Sequence, residues 1–565
     1  MSLVSEKEKV QLTVTNDKLV VRSSFAMKDV LKRLGCGAWD AKGKAWVFPQ
    51  SAVRAVVEAL GDTQLMATTE ALAVNKKWKA LENIVDKMHS GTLDLPAHPF
   101  LMHHQKIALY MAGHFDRFAL FMDTGTGKTL AALAIIKNKG RAGKFLVVCP
   151  KPLIKTAWME DQAQWFPDLK LLPLSRNIKV QEYRDLATKW GVDVGLARHV
   201  NVLKERLAPY ADAYIINPES LKIDHKYIES LGINGLVLDE STIVRNQSGN
   251  TNVITHFADK LRYCYIMSGK PDPNGPMNYF GQMRLVDTSL FGASFYAFRM
   301  RFFVPLDHNG WKWVVKPGAD EDIARRVSRR AYMVKKEDCL DLPEKVYERR
   351  LLELPPKYKK MYKSMETECA LLLEDSDDVV LAPIKAAALN KCRQITGGFI
   401  IKMDKEVEAI HRVKLAEMMG VLEEIGNRPV IIWAQYRHEI RAIAEEIRKT
   451  GAIVVTANSE TADLDESIRR FKSGEAQYMV AHPATLKFGA TFILCSYVLY
   501  YSKSHDYEEY YQSHDRIYRK GQVNKCTFIS LVMEDTIDED IEKVLRTKGS
   551  ASDFRDAFIA RVKGG

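Results

Sequence analysis

A chain of 565 residues is several times longer than one hydrophobic core usually supports, so three or four structural units are expected. With 46% hydrophobic and 27% charged residues it is neither disordered nor fibrous, and its net charge of +11 suits contact with a polyanion. No apolar run is long enough to span a bilayer and the first residues form no signal peptide, so a cytoplasmic location is expected.

Residues 1–75 alternate short β-like runs (Leu12–Val14, Leu19–Val21, Ala45–Phe48) with a helical pattern over Met27–Leu34, which predicts a small α+β module. A charged helical connector follows over 76–97. From 98 to 305 the apolar runs FALFMDT, FLVVCP, AYIINP, GLVLDE and YCYIMSG alternate with amphipathic segments, the pattern of a parallel sheet covered on both faces. A mainly helical insertion and linker is expected over 306–426. The pattern returns over 427–548 in PVIIWAQ, AIVVTA, QYMVAHP, YVLYYSK and TFISLVM, and residues 549–565 form a tail. The expected fold class is therefore α/β, with two parallel-sheet lobes. The eight cysteines stand singly, without the spacing of a zinc site or redox dithiol, so buried reduced thiols are expected.

The strongest local signal is FMDTGTGKT, Phe121 to Thr129, where an apolar strand enters a Gly-rich turn and then a helical pattern. Thr124, Gly125, Thr126 and Gly127 would turn backbone N–H groups toward phosphate at a helix N-terminus, Lys128 would reach the β- and γ-phosphates, and Thr129 would offer its hydroxyl to Mg²⁺. About a hundred residues on, LVLDE ends a strand in two carboxylates. Asp239 suits Mg²⁺ binding, and Glu240 suits orienting or deprotonating the attacking water. ATP and Mg²⁺ are the implied cofactors.

Together these motifs resemble the Swi/Snf-like ATPases of helicase superfamily two, phage or bacterial type, from about Phe100 to Lys548. The resemblance implies two RecA-like lobes that clamp one ATP, with Gln105 recognising adenine. DESTIVRN, Asp239 to Asn246, is similar to the family's DE motif with its basic-Asn pair. MSGKPDPNGPMNYFGQM, Met267 to Met283, resembles the motif that couples nucleotide state to lobe movement, including the Pro273 and Asn274 signature. YQSHDRIYRKGQ, Tyr511 to Gln522, is the most family-specific element. It implies catalytic roles for Gln512, Arg516 and Arg519, whose guanidinium groups suit charge on a transferring phosphoryl group. Gly489, in HPATLKFGATF, falls at a nucleotide-contacting segment. Thr242 stands where the family has His and Lys270 where it has Thr, departures that bear on coupling more than on ATP binding.

Family members mostly track the phosphates of duplex DNA. Arg325, Arg326, Arg329 and Arg330 recur at helical spacing before Lys335 and Lys336, which fits either phosphate contact or a solvated basic face. MKDVLKRLGCGAWDAKGKAWVFP is similar to the HARP domain of annealing helicases. There Trp39 and Trp46 are either contacts to branched DNA or core aromatics. The resemblance implies an ATP-dependent translocase on double-stranded or branched DNA, without a membrane and monomeric in solution, acting in fork regression, branch migration or annealing. Its alternatives are the translocating subunit of a restriction or anti-restriction assembly and a degenerate ATP-binding DNA clamp.

Overall fold

The computed structural model describes residues 9–564 except 62, 141–142, 177, 246–247, 274, 307–312, 375–381, 403, 487–490 and 548–550. The chain divides into two compact units, Met1–Asp123 with Gly127–Cys339, and Leu340–Gly565 with residues 124–126.

The first unit begins with a mixed sheet of β1 (Lys9–Thr15), β2 (Lys18–Arg22), β3 (Ala38–Asp40), β4 (Ala45–Pro49) and β5 (Gln64–Ala67), in the order β3-β4-β2-β1-β5. Asn16 and Asp17, both at positive φ, make the two-residue turn between β1 and β2, as a right-twisted hairpin requires. Alternation places Val10, Leu12, Leu19, Val21 and Phe48 in one core with Leu31 of α1 (Lys28–Arg33) and Val53, Val56 and Leu60 of α2 (Val53–Leu60). α3 (Thr69–His89) follows, capped by the Thr68 hydroxyl, which accepts the Ala71 N–H.

The module is seated on the rest of its unit by specific polar contacts. Ser51 Oγ donates to Asp287 Oδ1 at 2.7 Å, and the Arg301 guanidinium donates to the Leu34 carbonyl at 3.1 Å. Asp287 Oδ2 accepts from Arg330 Nε at 2.9 Å, and the Arg330 guanidinium lies 4.4 Å from the ring centroid of Trp78 on α3.

The remainder of this unit is built on a seven-stranded, all-parallel sheet. Its strands are β6 (Arg117–Met122), β7 (Lys144–Val148), β8 (Leu171–Pro173), β9 (Ala213–Ile216), β10 (Ile233–Leu238), β11 (Tyr263–Met267) and, after the hairpin β12 (Phe303–Pro305) and β13 (Trp313–Val315), β14 (Ala331–Val334). Their order is β14-β6-β11-β10-β7-β9-β8. In β6, Phe118, Leu120 and Met122 enter one core while Ala119 and Phe121 enter the other, so both faces are covered and the strand reads as a continuous apolar run. Because β10, β11 and β6 are neighbours, the segments that leave their C-terminal ends lie side by side.

The second unit holds a six-stranded parallel sheet. It comprises β15 (Lys345–Leu352) and, after the hairpin β16 (Phe399–Ile401) and β17 (Val407–Ala409), the strands β18 (Val430–Trp433), β19 (Val454–Ala457), β20 (Tyr478–Ala481), β21 (Tyr497–Tyr500) and β22 (Cys526–Met533). The order is β15-β22-β21-β18-β20-β19. The helices Pro356–Glu374 and Ala382–Gly397 share a core with the closing helices Ile537–Thr547 and Ala551–Gly564. Arg561 ties these together, paired with Asp540 and with Glu366.

The structure is thus α/β with two parallel-sheet lobes. It differs from expectation over 306–426, where β14 joins the first sheet and β15 the second. Both are edge strands, so one flank makes no ladder, and KVYERRLL breaks its apolar residues with four charged ones as a connector would.

Candidate nucleotide-binding site

β6 ends at Met122, and the turn that follows is held open by Gly125 at φ +88° and Gly127 at φ +78°, in the left-handed region that suits glycine. At Gly127 a Cβ would also lie 2.2 Å from the Gln105 amide nitrogen. Gln105, on α4 (His103–His114), is buried; its Oε1 accepts the Met102 N–H at 2.9 Å and its Nε2 donates to the Gly127 carbonyl at 3.4 Å. The glutamine expected beside adenine braces this glycine turn.

α5 (Lys128–Lys139) starts directly after the turn, with Ala131 to Ile136 buried, so its N-terminal N–H groups and helix dipole favour an anion at this point. Lys128 Nζ is buried without a hydrogen-bond partner among the described residues. A dry ammonium without an acceptor is costly, and an oligophosphate would satisfy it.

Asp239 follows β10, 5% exposed, with its N–H donated to the Val148 carbonyl at 2.8 Å. Burial pushes its carboxyl pKa up, while the nearby Lys128 charge and the bond from Trp158 hold it down. Trp158 Nε1 donates to Asp239 Oδ2 at 3.0 Å, and the Glu240 N–H donates to Oδ1 at 3.1 Å. Trp158 is fully buried in a π-helical stretch, Ile154–Met159, and such irregularities frequently mark functional sites. Glu240 is half-buried at φ +54°, a conformation that costs a non-glycine residue about 1–2 kcal/mol and must be held by its surroundings.

These residues fit Mg·ATP. Gly125, Thr126, Gly127 and Lys128 would hold the phosphates, Thr129 and Asp239 the metal, and Glu240 would face the attacking water. When bound, the metal neutralises charge on the phosphate oxygens. The bond from Trp158 to Asp239 is not legible in the sequence, because an indole reaching across 81 residues leaves no local pattern.

In the second unit, the helix Tyr507–His514 is capped by Asp506, which accepts from the Glu508 and Glu509 N–H groups. Gln512 Nε2 donates to Glu508 at 3.0 Å, and its buried Oε1 has no hydrogen-bond partner among the described residues. Arg516 is 2% exposed, with Nε donating to the Gln512 carbonyl at 3.1 Å. Arg519 donates from Nε to the Asp515 carbonyl at 2.6 Å and from Nη1 to Thr491 Oγ1 at 2.8 Å. Burial lowers the Arg519 pKa and Asp515 opposes that shift. Gln522 closes the motif by donating to the carbonyls of Ile493, Cys495 and Ile517. Gln512, Arg516 and Arg519 are thus gathered on one helical turn and its exit. Gly489, Asn246 and Asn274 lie outside the described residues.

The expected DNA contacts are corrected in part. Arg330 and Lys336 are 6% and 0% exposed, so neither presents its charge at the surface; Arg330 pairs with Asp287 instead. Trp46 is 8% exposed in the module's core, whereas Trp39 on the edge strand β3 is 52% exposed. Arg325, Arg329 and Lys335 are exposed, and Arg326 is half-buried against Asp322. The spacing of the arginines was legible; which side of the helix meets the core was not. All eight cysteines are free, six of them buried. Among the described residues no helix is long and apolar enough to cross a membrane, and no group of three or more His, Cys, Asp and Glu is gathered as a metal site.

The SNF2-related domain pattern matches residues 112–396, and that of the helicase conserved C-terminal domain matches residues 413–521. Protein p41 of Acyrthosiphon pisum secondary endosymbiont phage 1 is 26% identical over 465 residues, covering 78% of this chain and 93% of p41. The Bos taurus SWI/SNF-related matrix-associated actin-dependent regulator of chromatin subfamily A-like protein 1 is 20% identical over 437 residues. That similarity covers 76% of this chain and 42% of the bovine protein, so the chain spans less than half its length. The Sulfolobus solfataricus SWI2/SNF2 ATPase core in complex with dsDNA is similar at 19% identity, over 82% of this chain and 95% of that one, with a TM-score of 0.37. The first of the domain matches takes in half the chain and the second adds the helicase C-terminal part, so the protein belongs to the SNF2-related family and is a DNA-dependent, helicase-like ATPase.

Proposed function

We propose that this ATPase is a motor that moves along double-stranded DNA and remodels branched DNA, by fork regression, branch migration or strand annealing. The observation that carries the reading is the buried Lys128 ammonium, which has no hydrogen-bond partner among the described residues and acts electrostatically on Asp239. In this reading Arg516 and Arg519 act on the same nucleotide, a contribution worth about 10³–10⁵ in rate in related hydrolases. The net charge of +11 and the exposed Arg325, Arg329 and Lys335 supply cations for a phosphate track. The N-terminal module, with Trp39 exposed, serves as the element that recognises the branch.

The test is ATP hydrolysis measured with single-stranded, duplex, forked and four-way DNA and with duplex RNA, alongside ATP-dependent displacement of a triplex strand. Forked or four-way DNA should stimulate most and the triplex strand should be displaced, with Glu240→Gln inactive in both. Equal rates with and without every DNA, or stimulation without displacement, would overturn the motor reading.

A further inference from the structure

Thr242 and Lys270 stand where the resemblance places His and Thr in the DE and coupling motifs, and a buried side chain joins the segment after β10 to the loop after β11. Ser241, the residue after Glu240, is fully buried and donates its hydroxyl to Gln282 Oε1 at 2.7 Å. Gln282, on the helix Tyr279–Val286, is also fully buried; its Nε2 donates to the Pro271 carbonyl at 2.5 Å and to the Asn278 carbonyl at 2.9 Å. Two carbonyls can only accept, so the nitrogen must face them and the oxygen must face Ser241, which fixes the orientation of the amide.

The neighbouring backbone makes the link stiff. A Cβ on Gly281 would lie 2.1 Å from the Val244 carbonyl oxygen, so this helix rests directly on the 3₁₀ turn Ser241–Val244 with no side chain between them. Glu240, at the other end of that turn, is held in the left-handed region. A change in Glu240 must therefore move Ser241, and the buried amide cannot exchange its partners for water.

We propose that Gln282 is a positioning residue that transmits the state of Glu240 to the loop at Pro271. The inference rests on the DNA-dependent ATPase activity.

It is tested on the full chain with Gln282→Met, which keeps volume and removes all three bonds, with Ser241→Ala, which removes one, and with the double variant. Steady-state ATPase at saturating duplex and the affinity for a fluorescent ADP analogue are both measured. Loss of one hydrogen-bonded link should lower kcat about tenfold in Gln282→Met and several-fold in Ser241→Ala, with KM and ADP affinity held within about twofold. The double variant should be no worse than Gln282→Met, because both act on one link. A Gln282→Met enzyme with wild-type kcat, or a change confined to KM, overturns the inference. Where Gln282→Met fails to fold, Ser241→Ala decides alone, and unchanged DNA stimulation overturns it. A wild-type enzyme without any stimulation by DNA fails the activity itself, which separates the two failures.

Discussion

Replacing Arg330 by Ala removes the cation that pairs, among the described residues, with Asp287, a carboxylate whose side chain is 6% exposed. Asp287 would keep the Ser51 hydroxyl, 2.7 Å away, but no compensating charge. Breaking a buried pair from one side costs about 3–5 kcal/mol, and loss of the guanidinium over Trp78 adds about 1 kcal/mol. For a unit of this size that is a fall in melting temperature of at least about 5 °C. Scanning calorimetry should show it in the first unit's transition, the second unit's transition staying in place as an internal reference. Arg325→Ala is the matched control: its partner Asp322 lies on the same helix and its own side chain is 70% exposed, so its loss should cost under about 1 kcal/mol. The pair Arg330→Met with Asp287→Leu should recover much of the loss, since neither charge is then stranded. If Arg330→Ala melts no earlier than Arg325→Ala, the buried pair does not hold the N-terminal module to its unit and the reasoning fails.

Trp158→Phe keeps the buried ring but leaves Asp239 Oδ2 without its donor, a charge-assisted bond worth about 1.5–3 kcal/mol. ADP affinity measured by calorimetry in EDTA should be unchanged while the gain on adding Mg²⁺ shrinks about tenfold or more; an unaltered Mg²⁺ gain would remove Trp158 from the metal's support. In the second unit, burial pushes the His438 pKa down to about 4 and the neighbouring Glu439 pKa up to about 6. Between pH 6.5 and 4 the unfolded His438 takes up a proton that the folded one refuses, so its contribution to stability is lost as pH falls. Between pH 4.5 and 6 folded Glu439 holds a proton that the unfolded one releases, so its contribution is lost as pH rises. The two slopes oppose. In urea titrations His438→Gln should therefore gain stability on acidification from pH 6 to 4.5 relative to wild type, and Glu439→Gln should lose it more steeply; parallel curves for all three proteins would refute both assignments.

The sequence by itself determined the local chemistry and the layered plan. Glycines at positive φ before Lys128, carboxylates at the end of β10 and continuous apolar strands are dictated by neighbours a few residues away, so FMDTGTGKT, LVLDE and the two parallel sheets were legible without coordinates. The arginine turn from Gln512 to Gln522 was legible for the same reason. Tertiary structure alone decided matters that depend on distant partners. It assigned the edge strands β14 and β15 to different sheets, because an edge strand is specified by the neighbour it finds rather than by its own pattern. It turned Arg330 inward to Asp287 while leaving Arg325 and Arg329 in solvent, although all lie at similar spacing. It also brought Trp158 to Asp239 and Gln282 to Ser241, bonds that span 81 and 41 residues. A hydrogen bond constrains two side chains only once the fold has brought them within 3 Å, and no periodicity in the chain records that distance.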